Sequence, residues 1–139
     1  MHSVKLFYES PFRHTVRPIV IRQAVKKVFE NELKSFNYLN VIFCNDAFLL
    51  NLNKNFLNHN TYTDIITFNY SNIDIEGELY ISFERLKENS EKFKVPIQTE
   101  ILRLIIHGCL HLCGYQDKTK NAKAKMTELE NSYLAILKP

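Results

Sequence analysis

Apolar positions recur along the chain at two spacings, and the changes from one to the other predict its elements. Val4–Tyr8 alternates and reads as a short strand. From Arg17 to Lys34, the positions Ile21, Ala24, Val25, Val28, Phe29 and Leu33 follow a helical spacing, and Pro18 suits a first turn where no donor is needed. Tyr38–Cys44 is strand-like. Asp46 to Asn55 reads as a short helix capped by Asn45 or Asp46. Ile65–Tyr70 and Glu78–Phe83 are β-branched and aromatic, and the polar stretch Asn69–Glu76 between them predicts a hairpin with a long turn. Phe83–Phe93 is an amphipathic helix before Pro96. Gln98–Cys113 is a long helix stopped by Gly114, and Asn121–Leu137 is a last amphipathic helix. Strands and helices mix without strict alternation. The expected fold is therefore α+β with an α/β-like character: one domain over 1–139, with a small mixed four-stranded sheet packed against about five helices.

One helix carries the chemistry. Between Ile101 and Cys113 the strongly polar residues are Arg103, His107 and His111, spaced by four, with Glu100 further up the same stripe. At ~100° per residue, steps of four drift by only ~40°, so these side chains share one face. The remaining positions are apolar all round, as in a buried central helix. Burying ionisable groups costs free energy unless they find partners. Two imidazoles at i and i+4 can reach one divalent ion, as in the zinc helices of metallohydrolases. Gly114 lets the chain reverse, so that the Asp117 carboxylate can return as a third ligand. Two His and one carboxylate with a position left for water is a catalytic zinc geometry, placed here at the end of the central helix. Cys109 and Cys113 are a rival ligand set, but they lie ~200° and ~240° around the helix from His107 and read as small buried hydrophobes. Arg103 either orients a substrate phosphate or pairs with a carboxylate.

Composition adds mainly exclusions. The 139 residues are 45% hydrophobic and 24% charged, the make-up of a globular chain that needs no disulfide staples. No apolar run approaches the ~18–20 residues of a membrane span, and Met1 to Phe7 lacks a secretory h-region. With three cysteines and no export signal, the expected compartment is the reducing cytoplasm. The net charge of +3 says little, but its distribution says more. Residues 1–27 carry six basic residues (Lys5, Arg13, Arg17, Arg22, Lys26, Lys27) against Glu9, and Lys118, Lys120, Lys123 and Lys125 follow the histidine helix. These segments read either as a footprint for a polyanion or as a solvated surface. Of the aromatic residues Tyr62, Phe68, Tyr70, Tyr80 and Tyr115, one or two are placed to stack on bases, and most are expected in the core.

The stretch His107-Gly-Cys-Leu-His111-Leu-Cys-Gly114-Tyr-Gln-Asp117 resembles the H-G-x-L-H-L-x-G-Y-D-H signature of the YbeY family, bacterial metal-dependent endoribonucleases of ribosomal RNA maturation. Thr63-Asp64-Ile65-Ile66-Thr67-Phe68 resembles the family's T-D-V-L-S-F segment, and Gly77-Glu78-Leu79-Tyr80-Ile81-Ser82 its G-D-I-x-I-S strand. Leu52-Asn53, and Met126 with Glu130, match in spacing, so the resemblance covers about residues 40 to 135.

The resemblance implies a single-strand-specific endoribonuclease acting on the 3′ end of 16S rRNA, with RNA or the ribosome as partner. His107, His111 and Asp117 would be the metal ligands. Asp117 stands where the family has His, which keeps a ligand but can move the preference from zinc toward Mn, Fe or Ni. Leu57 stands where the family usually has Arg, and nearby His59 is the residue that would supply a positive or proton-transferring group. Asp64 would orient water or a ligating imidazole. The attacking group is either water or the ribose 2′-OH. Two other readings follow from particular residues. A metzincin-like zinc peptidase has the His-x-x-x-His-x-x-Gly-x-x-Asp spacing, but the general-base position holds Gly108. A non-catalytic ribosome assembly or RNA-binding factor with a structural metal would account for Leu57.

Overall fold

The structure, a computed structural model, describes residues 3–9, 12, 16–59 and 63–137. Its elements follow the order β1 (Ser3–Tyr8), α1 (Pro18–Asn31), β2 (Phe36–Cys44), α2 (Asp46–Leu57), β3 (Ile65–Asn69), β4 (Ile75–Ser82), α3 (Phe83–Phe93), α4 (Ile97–Leu112) and α5 (Lys120–Leu137). The four strands form one mixed sheet in the order β1-β2-β4-β3. β1 pairs parallel with β2, and β2 with β4, so each of these pairs needs a crossover; β3 and β4 form the antiparallel hairpin. Among the described residues the chain adopts the expected α+β fold, with five helices and four strands.

Alternation along β4 shows how the sheet is used. Ile75, Leu79 and Ile81 face the main core, with Leu39, Val41 and Phe43 of β2 and the buried sides of α1, α4 and α5. Cys44, Leu49 and Ile66 form a smaller cluster under α2. α4 packs on α1, α3, α5, β3 and β4, which makes it the central helix.

Helix ends follow local chemistry. Asn45 caps α2 by accepting from the Phe48 N–H at 2.8 Å, and Ser82 caps α3 by accepting from the Arg85 N–H at 3.2 Å. α4 closes with the Tyr115 N–H donating to the Leu110 carbonyl at 3.1 Å, around Gly114 at φ +106°.

Two boundaries differ from the sequence expectation by three residues, and the others by two or fewer. α1 ends at Asn31 rather than Lys34: Leu33 has φ 57° and is 91% exposed, so it belongs to the turn and not to the apolar face. β4 begins at Ile75, three residues early, because Glu76 and Glu78 occupy the sheet face away from the core, where polar side chains stay solvated. Most of the aromatic residues expected in the core pack only at its margins. Phe68, Tyr80 and Tyr115 are half-buried and Tyr70 is exposed. Tyr62 and Arg13 lie outside the described residues.

Candidate metal centre

The polar stripe of α4 is its only opening to solvent between Ile101 and Leu112. Arg103, His107 and His111 are partly exposed, and every other residue in that span is buried. Gly108 sets the seat of the helix on the sheet. A Cβ there would lie 2.6 Å from Leu79 Cδ2 and 3.2 Å from Ile65 Cδ1, so only a missing side chain permits this approach. A side chain at position 108 would thus point into the core, which removes the general base that a peptidase would need next to His107.

Past Gly114 the chain brings Asp117 back to the two rings. His107 Nε2 and His111 Nε2 are 3.0 Å apart, and Asp117 Oδ2 lies 3.3 Å from the first and 3.2 Å from the second. Ligand atoms ~2.0–2.1 Å from a tetrahedral ion stand ~3.3–3.4 Å apart, so the triangle matches one face of such a site. Among the described residues this is the one His/Cys/Asp/Glu group with donor atoms this close.

Hydrogen bonding on the far side of each ring fixes which nitrogen faces the triangle. The Tyr115 carbonyl, 2.9 Å from His111 Nδ1, can only accept, so that nitrogen carries the hydrogen. His107 Nδ1 donates to Glu130 Oε2 at 2.6 Å. The neutral rings therefore turn two Nε2 lone pairs and a carboxylate oxygen to one point, a repulsive arrangement until a cation, proton or metal, sits between them. Burial works against charge on His107, but the Glu130 hydrogen bond and the carboxylates of Glu130, Asp117 and Asp64 outweigh it and hold its pKa above the usual value. The donor set fits a divalent ion.

Glu130 is the functional residue that spacing rules miss. It sits on α5, buried, and its Oε1 also accepts from Arg103 Nη1 at 3.1 Å. Arg103 Nη2 in turn donates to Asn131 Oδ1 at 2.9 Å. Of the two roles open to Arg103, carboxylate pairing is the one the structure displays. The spacing of Glu130 from Met126, matched by the family resemblance, is the sequence signal that points at Glu130. A second brace holds the loop that carries Asp117. Tyr115 Oη and Tyr133 Oη both donate to Glu32, at 2.7 and 2.6 Å, tying loop and α5 to the end of α1.

These groups border a cleft of about 540 Å³ that His107, Asp117, Asp64, Glu100, Arg103 and Glu130 line, together with Lys123. Asp64 Oδ2 accepts from Asn89 at 3.2 Å, while the imidazole-orienting role belongs to Glu130 and the Tyr115 carbonyl. His59, just past the end of α2, is exposed and is not among the described residues lining the cleft. Leu57, the last residue of α2, is exposed as well. Cys109 is fully buried and Cys113 half-buried; burial pushes the Cys113 thiol up to about 12 and the Cys109 thiol well above its usual value, and neither joins the donor set.

A family profile described as Endoribonuclease YbeY matches residues 9–138. The chain belongs to the YbeY family. A relative from Flavobacterium psychrophilum, named Endoribonuclease YbeY, is 46% identical over 113 residues, 81% of each chain. One of the same name from Karelsulcia muelleri is 40% identical over 136 residues, 97% of this chain and 96% of the relative. The solution structure of a Thermotoga maritima protein matches with TM-score 0.64 at 23% identity, covering 97% of this chain and 91% of that one, a likeness of fold. The YbeY signature thus falls on the helix end and loop that build the triangle. No helix among the described residues is long and apolar enough to cross a membrane.

Proposed function

We propose that this YbeY family member is a metal-dependent endoribonuclease that cleaves single-stranded RNA. Its substrate in this reading is ribosomal RNA, at the 3′ end of 16S rRNA, and it acts in the cytoplasm. His107, His111 and Asp117 hold one divalent transition ion, zinc in the first instance. The observation that carries the reading is the convergence of two imidazole lone pairs and a carboxylate oxygen within 3.0–3.3 Å, each ring fixed from behind by an acceptor. When bound, the ion supplies a Lewis acid for a phosphoryl oxygen and a lowered pKa for water.

The chain's own residues do the rest. Glu130 and the Tyr115 carbonyl hold the ring orientations. In this reading Asp64, which lines the cleft, orients the attacking water or 2′-hydroxyl. In the same reading Arg103, 30% exposed and paired with Glu130, contacts the substrate phosphate. Exposed Lys118, Lys120 and Lys123 follow Asp117 and supply positive charge along the path of the RNA backbone.

The test couples metal to activity. Purified wild type should carry about one equivalent of divalent metal and cut single-stranded RNA. His107→Ala should lose both while keeping its far-UV circular dichroism. Cleavage of RNA by a metal-free His107→Ala protein would defeat the proposal. Leu57 at the position of the family's Arg favours one other reading, an assembly factor with a structural metal; normal complementation of a deletion strain by Asp117→Ala would select it.

A further inference from the structure

Among the described residues, one buried side-chain polar atom has no hydrogen-bond partner: Glu100 Oε1. Glu100 is 2% exposed, stands in the first turn of α4 and lines the same cleft as His107 and Asp117. Its other oxygen, Oε2, accepts from Asn89 Nδ2 at 3.2 Å, and the same Nδ2 donates to Asp64 Oδ2 at 3.2 Å. A primary amide has two hydrogens, and both are used here, one on each carboxyl. Asn89 on α3 therefore clamps the first turn of α4 to the loop ahead of β3. The Asp64 backbone is fixed too, its carbonyl accepting from the Ser82 N–H at 3.0 Å.

We propose that Asn89 and Glu100 are positioning residues for the cleavage reaction, with Glu100 held as an uncharged carboxylic acid whose bond to Asn89 keeps the Asp64 carboxylate turned into the cleft. This inference rests on the proposed nuclease reading and adds two residues to its machinery. An ionised oxygen buried with no donor is costly, whereas a neutral acid group in the same place is far less so. Two carboxylates on one amide also repel when both are charged. The groups around Glu100 are Asp64 on the β3 loop, Asn89 on α3, Arg103 and His107 further along α4, and Glu130 on α5. Burial pushes the Glu100 carboxyl up, and Asp64 and Glu130 act in the same direction; the Asn89 bond and Arg103 oppose them.

The experiment follows kcat, KM and metal content across pH for metal-loaded wild type, Glu100→Ala, Glu100→Gln and Asn89→Ala. Glu100→Ala and Asn89→Ala should lower kcat about tenfold at neutral pH, with KM and metal stoichiometry held. Glu100→Gln, which keeps the neutral shape and the acceptor for Asn89, should rescue that loss. Wild type should lose activity on the alkaline side as Glu100 ionises beside Asp64. Glu100→Gln should carry the plateau about one pH unit or more higher. Superimposable profiles for wild type and Glu100→Gln, or an unchanged kcat in Asn89→Ala, would overturn the proposal. A carbon-13 carboxyl titration of the same proteins separates this inference from the nuclease reading. It should show the Glu100 carboxyl titrating above the usual glutamate range whether or not RNA is cut, and a Glu100 that titrates within or below that range would equally overturn it.

Discussion

Glu130 offers the sharpest test of how the metal centre is built. Its carboxylate serves two donors, His107 Nδ1 at 2.6 Å through Oε2 and Arg103 Nη1 at 3.1 Å through Oε1, and its side chain is only 9% exposed. Glu130→Met keeps an unbranched side chain of similar length but offers no oxygen to either donor, so His107 Nδ1 loses its acceptor and Arg103 its carboxylate. Removing such an acceptor behind a ligating imidazole typically costs 10–100-fold in metal affinity, about 1.4–2.8 kcal/mol. The Arg103 pair is a smaller matter, since that side chain is 30% exposed and such pairs contribute below about 1 kcal/mol. Titration of zinc against a competing chelator measures the affinity. Glu130→Met should fall about 10–100-fold. Arg103→Ala, which spares the bond to His107, should fall less, and Glu128→Gln, at an exposed position two residues earlier on α5, should match wild type. Wild-type affinity in Glu130→Met, or a larger loss in Arg103→Ala, would refute the assignment of Glu130 as the acceptor that holds His107.

Three further outcomes follow. Gly108→Ala puts a methyl 2.6 Å from Leu79 Cδ2 in a fully buried contact, so thermal unfolding should show a loss of about 1–3 kcal/mol, and an unchanged melting point would contradict the close seat of α4. The raised pKa of His107 in the metal-free protein contributes stability that is full below its unfolded value near 6.5 and lost as pH rises through the folded value. Metal must displace that proton, so affinity measured by calorimetry should fall about tenfold per pH unit below the folded value and level off above it. Replacing Lys118, Lys120 and Lys123 by Gln should reduce the slope of log binding constant against log salt by about 2 for single-stranded RNA, and fluorescence anisotropy at several salt concentrations would show a parallel line if these lysines do not touch phosphate.

Much of the metal centre was legible in the sequence because it lies on one helix and one short loop. A spacing of four on an otherwise apolar helix has one geometric meaning, and Gly114 announces the reversal that returns Asp117. The strands and helices were legible for the same local reason, down to the Asn45 cap. Contacts between remote segments were not. Glu130 reaches His107 from 23 residues away, and Glu32 reaches Tyr115 from 83 and Tyr133 from 101, separations on which no periodicity bears. The true start of β4 was hidden because its first residues alternate between the core and an open sheet face, where acids look like a turn. Leu33 misled in the opposite sense: its apolar side chain continued the helical spacing, while the backbone had already turned into the left-handed region.

The third donor arrives by a route unlike the first two. His107 and His111 are locked to a helix whose seat on the sheet leaves no room even for a methyl group, whereas Asp117 stands beyond the left-handed Gly114, on chain free of helical constraint. Exchanging an imidazole for a shorter carboxylate there can be absorbed by a small adjustment of the loop, with no repacking beneath it. The candidate site thus pairs two rigidly held donors with one adjustable donor, and a substitution at position 117 alone changes the charge and hardness of the donor set without disturbing the packing of α4.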